Sequence, residues 1–241
     1  MWSVCKKEFR QFFSSLTGYI AIAVFLLVNG LFLFVFPENI LDFGYTTLER
    51  FFELAPLILL LLIPAITMRS FADEFRSGTY EILQTKPLSS WQIVVGKYLG
   101  SLFVVIIALV PTLIYAISIN QLSFEQGLDT GGTIGSYIGL FFLASVFVAI
   151  GICCSSLTGN AVVAFIASAF FCFVIYNGFE AVSQIAGTGG TGDYLISMLG
   201  IDFHYRSISR GVLDTRDLIY FLSVIALFLV FTNRNLVNRY S

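Results

Sequence analysis

A single histidine, His204, four cysteines and a run of charged residues between positions 69 and 97 are the side chains here with chemistry to offer. Metal binding by cysteine and histidine needs closely spaced pairs. Cys5, Cys153, Cys154 and Cys172 have no such spacing, and the last three sit in or near apolar runs, where cysteine behaves as a small hydrophobe. His204 has no Cys or carboxylate at ligand spacing and reads as structural. Neither a Ser–His pair nor a carboxylate pair suggests catalysis. A phosphate-binding loop needs G-x-x-x-x-G-K-[ST], whose amides and lysine wrap the phosphates. Gly96-Lys97 is followed by Tyr98, and the position five before Gly96 is Trp91, so that loop is absent. The cluster Gly187, Gly189, Gly190 and Gly192 lacks a lysine and reads as a loop. The chain is therefore expected to bind no cofactor, metal or nucleic acid itself and to hydrolyse no ATP.

The elements that position these residues are membrane helices. The 241 residues are 57% hydrophobic and 12% charged, with 26 Phe and a mean hydropathy of +0.88. A soluble domain is about 25% charged, so there is too little charge here to cover a water-facing surface. A spanning helix needs about 20 apolar residues. Six such stretches are expected, at 18–36, 54–68 (short in its apolar core), 98–119, 134–156, 160–182 and 218–232. Leu57 to Ile63 is continuously apolar, which favours helix over the alternating pattern of a membrane strand. The first apolar run starts late and is long, so it reads as a retained helix and not a cleaved signal.

Lysine and arginine in short loops orient such a bundle. With the N-terminus in the cytoplasm, one side holds nine bases (Lys6, Lys7, Arg10, Arg69, Arg76, Lys86, Lys97, Arg234, Arg239) and four acids. The other holds Arg50, Arg206, Arg210 and Arg216 with eleven acids, so the total of −2 divides into about +5 and −7. Both termini are expected in the cytoplasm, and an even number of spans agrees.

Residues 2–16 form an amphipathic helix, with Trp2, Cys5, Phe9, Phe12, Phe13 and Leu16 on one face and Ser3, Lys6, Lys7, Arg10 and Ser14 on the other. That pattern suits a helix lying in the membrane interface, as a basic anchor or as an elbow coupled to a gate. Residues 37–53 and 120–133 are outer loops, and Ser155, Ser156, Thr158 and Gly159 form a tight inner turn. The polar segment 69–97 is cut by Gly78, Pro87 and Ser89-Ser90. Its first part makes about two helical turns. Phe71 and Phe75 then share a face while Asp73, Glu74 and Arg76 point to water or a partner. Glu81, Ile82 and Leu83 begin a second amphipathic piece, and Trp91 marks the return to the interface. The longest outer segment, 183–217, has a moderately apolar stretch from Tyr194 to Phe203 that is too short to span but able to dip into the mouth of a bundle. The spans carry no acid, histidine or lysine at depth, which disfavours an ion-coupled carrier. Gly96-x-x-x-Gly100 and Gly135-x-x-x-Gly139 could let helices pack closely, and Pro64 and Pro111 suggest kinks.

A basic amphipathic N-terminal helix, six spans and a polar loop between the second and third resemble an ABC-2 type exporter permease. Met68-Arg69-Ser70-Phe71-Ala72-Asp73-Glu74, Gly78-Thr79-Tyr80-Glu81-Ile82-Leu83, Thr85-Lys86-Pro87-Leu88 and Gly96-Lys97 are similar to that family's coupling segment. Phe203-His204-Tyr205, Arg210-Gly211-Val212-Leu213-Asp214 and Asp217-Leu218-Ile219-Tyr220-Phe221 look like the closing motif of one subgroup. The whole chain most resembles the gliding-motility-associated ABC transporter permeases of Bacteroidota. The resemblance implies one all-α permease domain over 1–241 in the bacterial inner membrane. It would comprise an interfacial elbow at 1–17, a coupling segment at 69–97 and a re-entrant outer loop at 183–217. It implies a second permease chain, identical or homologous, and a separate ATP-binding cassette ATPase that holds the ATP and Mg. Any large outer domain would belong to an auxiliary subunit. Arg69, Phe71, Asp73, Glu74, Phe75, Arg76, Gly78, Thr79 and Glu81 would meet the ATPase. Tyr194, Leu195, Met198, Phe203 and His204 would close the outer gate. The competing readings are an ordinary solvated loop at 69–97 and, for the whole chain, a non-transporting scaffold of a motility or secretion machine.

Overall fold

The computed structural model describes residues 1–36, 47–85, 87–122, 128–186, 191–211 and 214–240, and all regular structure among them is helical. The helices are α1 (Trp2–Phe13), α2 (Leu16–Phe34), α3 (Glu49–Thr67), α4 (Arg69–Ser77), α5 (Thr79–Gln84), α6 (Ser90–Leu109), α7 (Leu113–Leu122), α8 (Thr130–Leu157), α9 (Ala161–Phe173), α10 (Phe179–Ala186), α11 (Thr191–Ser197), α12 (Ile201–Ser209) and α13 (Thr215–Tyr240). A 3₁₀ turn at Val110–Thr112 joins α6 to α7, and a π-helical turn at Val174–Gly178 joins α9 to α10.

Five runs are long and apolar enough to cross a bilayer: Glu49–Ser77, Ser90–Gln121, Thr130–Leu157, Ala161–Gln184 and Thr215–Arg239. A sixth is reached only with the bent pair of α1 and α2; α2 itself has 19 residues, carries no charge and spans about 28 Å at 1.5 Å per residue. It leaves α1 at 72°. The sequence-based boundaries are therefore too short. The second span starts at Glu49 and runs without a sharp bend through α4, and the third begins at Ser90, so Lys97 stands inside a spanning helix and not in a loop. Ser155 and Ser156, expected in a turn, lie buried in the last turns of α8. The reason is common to all three: capping and tertiary hydrogen bonds extend helices past the end of the apolar run. Ser89 and Gln92, for example, form a reciprocal capping box that starts α6 ahead of its first buried residue, Ile93.

α8 is the central post. About 78% of its most apolar stretch is buried, against 22% for both α9–α10 and α13. It contains no charged residue and is studded with Gly and Ser, which lets neighbours approach. A Cβ on Gly151 would overlap the Thr67 hydroxyl of α3, and one on Gly135 would lie 2.7 Å from the Ile208 carbonyl of α12. The exposed apolar residues of α9 (Val162, Ile166, Phe170) and α13 (Ile219, Leu222, Phe231) form the outer wall, as expected for a bundle solvated by lipid. Pro111 falls in the 3₁₀ turn. There Tyr137 donates to the Thr112 carbonyl (3.0 Å) and Thr112 to the Leu109 carbonyl (2.6 Å). Pro56 and Pro64 are both accommodated within α3.

The bundle has two distinct ends. One carries α1, α4, α5 and the C-terminus of α13; it is called the elbow end below. The far end carries α11, α12 and the starts of α3, α8 and α13.

Candidate functional site

At the elbow end three helices meet around Lys97. Its side chain is fully buried, and its ammonium has three protons to place. One goes to Glu8 Oε1 at 2.6 Å and one to the Ser70 carbonyl at 2.6 Å, while Glu74 Oε2 lies 3.0 Å away. Lys7 bonds Glu74 Oε1 at 2.6 Å, and the Ser70 hydroxyl donates to Glu8 Oε2 at 3.2 Å. Two cations thus face two carboxylates in a closed, neutral cluster contributed by α1 (Lys7, Glu8), α4 (Ser70, Glu74) and α6 (Lys97). The Phe71 ring lies 4.8 Å from the Lys97 ammonium and adds a cation–π contact.

The Gly96 and Gly100 faces bring α1 this close. A Cβ on Gly96 would sit 2.9 Å from Val4 Cβ, and one on Gly100 would sit 2.8 Å from Glu8 Cβ. This small-residue pair therefore seats the chain's own elbow helix. Gly135 and Gly139 likewise seat α12, Gly139 against the Tyr205 ring. Both pairs are used within the chain and are not left open for a second copy. Val4 and Cys5, not the whole Trp2–Leu16 stripe, are the buried residues of α1; Trp2 and Leu16 are exposed. Burial, and secondarily the Glu8 carboxylate, hold the Cys5 thiol above its usual range, so Cys5 packs as a small apolar side chain and is a weak nucleophile.

A second anchor joins α4 to α8. The Ser155 hydroxyl accepts from the Phe71 and Ala72 amides (3.0 and 3.2 Å) and donates to the Met68 carbonyl (3.0 Å). It thereby satisfies first-turn donors of α4 that have no partner within the helix. Asn235 of α13 ties to α8 beside it, donating to the Ser156 carbonyl at 2.7 Å. Phe71, Phe75 and Tyr80 form an aromatic cluster under the α4–α5 turn, and Arg239 covers the Phe75 ring at 4.2 Å.

This geometry corrects the reading of α4. Phe71 has no exposed surface and Glu74 is 6% exposed, so neither points toward water. Phe75 and Asp73 are half-buried. The solvent-facing residues are Arg69, Arg76, Ser77, Gly78, Thr79 and Glu81, joined by Ile82, an apolar side chain 62% exposed. Gly78 sits at φ +67°, a left-handed position that favours glycine and turns the chain from α4 into α5. Lys86 lies outside the described residues. Sequence reasoning missed Lys97, Glu8, Lys7 and Ser155. The available signal was a lysine set between Gly96 and Gly100 in an otherwise apolar run, which marks a face too tight for an unpaired charge.

The far end holds a second polar group. His204 contacts Asp217 (Nδ1 to Oδ1, 2.6 Å) and the Met198 carbonyl (Nε2 to O, 2.9 Å), so it does have a carboxylate partner, thirteen positions away and on another helix. Asp202 pairs with Arg206 at 2.7 Å, and Arg206 lies 3.5 Å from Glu180. Tyr205 donates to the Phe52 carbonyl (2.7 Å) and Ser136 to the Ser209 carbonyl (3.2 Å), fixing α12 across α3 and α8. Beside it opens a cleft of about 630 Å³ lined by Glu49, Phe52, Glu53, Ser136, Tyr176 and Arg210, among others. Of the residues expected to gate this end, His204 is buried and Met198 and Phe203 are half-buried. Tyr194, expected to help close this end, is 54% exposed, its ring meeting Phe203 edge-on. Leu195 lies on α11, but its side chain is outside the described set, as are Gly187, Gly189, Gly190, Val212 and Leu213. Among the described residues no cluster of His, Cys, Asp or Glu could hold a metal, and all four cysteines are free.

No curated protein matches the sequence. The family model described as ABC-2 family transporter protein matches residues 2–233. With at least five spanning helices and that match over nearly its whole length, the chain belongs to the ABC-2 transporter family and is a multi-pass membrane permease without an ATPase site of its own.

Proposed function

We propose that this permease is the membrane subunit of an ATP-driven exporter, and that α4, Gly78 and α5 receive the stroke of a separate ATP-binding cassette ATPase. ABC-2 permeases work with ATPase subunits. The observation that carries the reading is the attachment of α4. Through Glu74, Lys97 and Glu8 it is bonded to α1 and α6, and through Ser155 to α8. A push on its tip is therefore delivered to three elements at once. The tip offers Arg76, Thr79, Glu81 and Ile82, a charged rim around one apolar anchor, which is the make-up of a partner surface. Phe71, Asp73, Glu74 and Phe75 act behind that surface as its mounting. The excess of basic residues at this end supports placing it, and both termini, in the cytoplasm of a bacterial inner membrane.

α11 and α12 then close the outer exit, with a second permease, identical or homologous, supplying the other wall of the route. The similarity of residues 203–221 to the closing motif of gliding-motility permeases supports a place in that machinery. A scaffold that transports nothing is the second reading, and it requires no working tip. The test is capture of the ATPase by the detergent-solubilised permease. Ile82→Asp and Arg76→Glu should leave the chain inserted and folded but weaken capture by about tenfold, the scale of an interface anchor residue. Unchanged capture and unchanged ATPase stimulation in both variants would remove the tip from the mechanism and favour the scaffold.

A further inference from the structure

We infer that His204 is held as the doubly protonated imidazolium and serves as a proton-operated clasp on the far-end helices. The argument is one of donors and acceptors. Asp217 Oδ1 stands 2.6 Å from Nδ1, and the Met198 carbonyl stands 2.9 Å from Nε2. A carbonyl and a carboxylate only accept, and a neutral imidazole has a single N–H. Only the imidazolium donates to both at once. The ring is 5% exposed, so no bulk water substitutes for a lost partner. It stacks on Tyr220 at 4.0 Å, a contact that a cationic ring strengthens.

The clasp joins three elements. Met198 and Leu199 follow α11, His204 is on α12, and Asp217 and Tyr220 are on α13. The Tyr220 hydroxyl donates to the Leu199 carbonyl at 2.6 Å, so two successive carbonyls at the end of α11 are held by two stacked rings. The charges facing this site are few. From α13 comes Asp217, whose second oxygen accepts no hydrogen bond, with Arg216 exposed beside it. On α12 itself Asp202 and Arg206 neutralise each other, with Glu180 of α10 behind them. The π-helical turn contributes Tyr176, and α8 contributes no charge. Among the described residues Asp217 is thus the one carboxylate in contact with the ring. Taking the proton away sets a bare nitrogen against an acceptor and leaves Asp217 buried and unmatched, so α11 is released from α12 and α13. The closed arrangement is favoured at lower pH and loosens as pH rises. Its bearing on transport rests on the far end being the exit, whereas the clasp itself does not.

The chain has one histidine, so ¹⁵N-histidine labelling of the full-length protein in lipid nanodiscs reports this ring alone. At about pH 7, where an unperturbed histidine is mostly neutral, both nitrogens should resonate as protonated. Raising the pH should convert one of them to a bare nitrogen. In step with it, amide hydrogen exchange in 194–203, corrected for the intrinsic base-catalysed rate, should speed about tenfold, the scale of one charged hydrogen bond. His204→Gln should abolish that step. A bare nitrogen in the folded wild type at about pH 7, or exchange in 194–203 that ignores the ring's titration, would overturn the proposal. An intact clasp with pH-independent export would instead count against the far end as the exit.

Discussion

A lysine with no exposed surface must be matched, and Lys97 is matched by two carboxylates, a carbonyl and an aromatic face. Removing one member leaves the others buried and unbalanced. Lys97→Met should therefore cost about 3–5 kcal/mol, read as a lower thermal midpoint in detergent. The triple variant K97M/E8Q/E74Q removes the buried charges and leaves only Lys7, whose side chain is 50% exposed and can reach water, so it should recover most of that stability, since fully replaced buried ion pairs are often neutral. If the cluster transmits the stroke, the triple variant stays poor in ATPase stimulation even though it is stable. Recovery of both would reduce the cluster to a structural role. Ser155→Ala strips one hydroxyl of three hydrogen bonds and orphans two amides of α4. The expected loss is about 1–3 kcal/mol, confined in hydrogen exchange to 68–77.

At the scale of elements, α1 is held to α6 by the absence of side chains at Gly96 and Gly100. Gly100→Leu should lift it, at a cost of about 1–3 kcal/mol for overpacking. Cys5 reports this cleanly, being 3% exposed with its thiol held up by burial and by Glu8. With Cys153, Cys154 and Cys172 replaced by serine or alanine, maleimide labelling of Cys5 should rise by about tenfold, the factor for about 1.4 kcal/mol. Labelling as slow as in the parent would mean that α1 docks without those glycines. α4 illustrates a different point. Its amphipathic pattern was correct, but the buried face was the one carrying Phe71 and Glu74. An i,i+4 aromatic pair says only that two rings share a side, and tertiary packing decides which side faces in.

For the molecule as a whole, the route for cargo is the open question that two permeases answer. The single chain is filled along its axis by α8, and its glycine faces are taken by α1 and α12. Among the described residues the bundle axis is therefore blocked, and the expected assembly is two permeases with two ATPases. Native mass spectrometry from mild detergent should show that stoichiometry; an active complex with one copy of this chain and no second permease would refute it. The contact between permeases should then involve lipid-facing apolar residues, such as those of α2 or α13, and not the Gly-x-x-x-Gly pairs. The purified chain alone should turn over no ATP above background.

The sequence by itself determined the membrane class, a bundle of five to six spans and the division of charge between the two ends. These follow from local quantities: apolar run length against bilayer thickness, and the count of lysine and arginine between runs. It also located α4, Gly78 and α5, because a left-handed turn and an amphipathic period are written in neighbouring residues. Only the tertiary structure decided where the polar side chains went. Lys7 meets Glu74 and Ser70 meets Glu8 across more than sixty positions, Lys97 meets Glu8 across eighty-nine, and His204 meets Asp217 on the next helix. Such pairings depend on which helix faces are brought together. In a bundle where nearly every face is apolar, the faces are chosen by glycine-sized gaps and by the need to satisfy each buried charge.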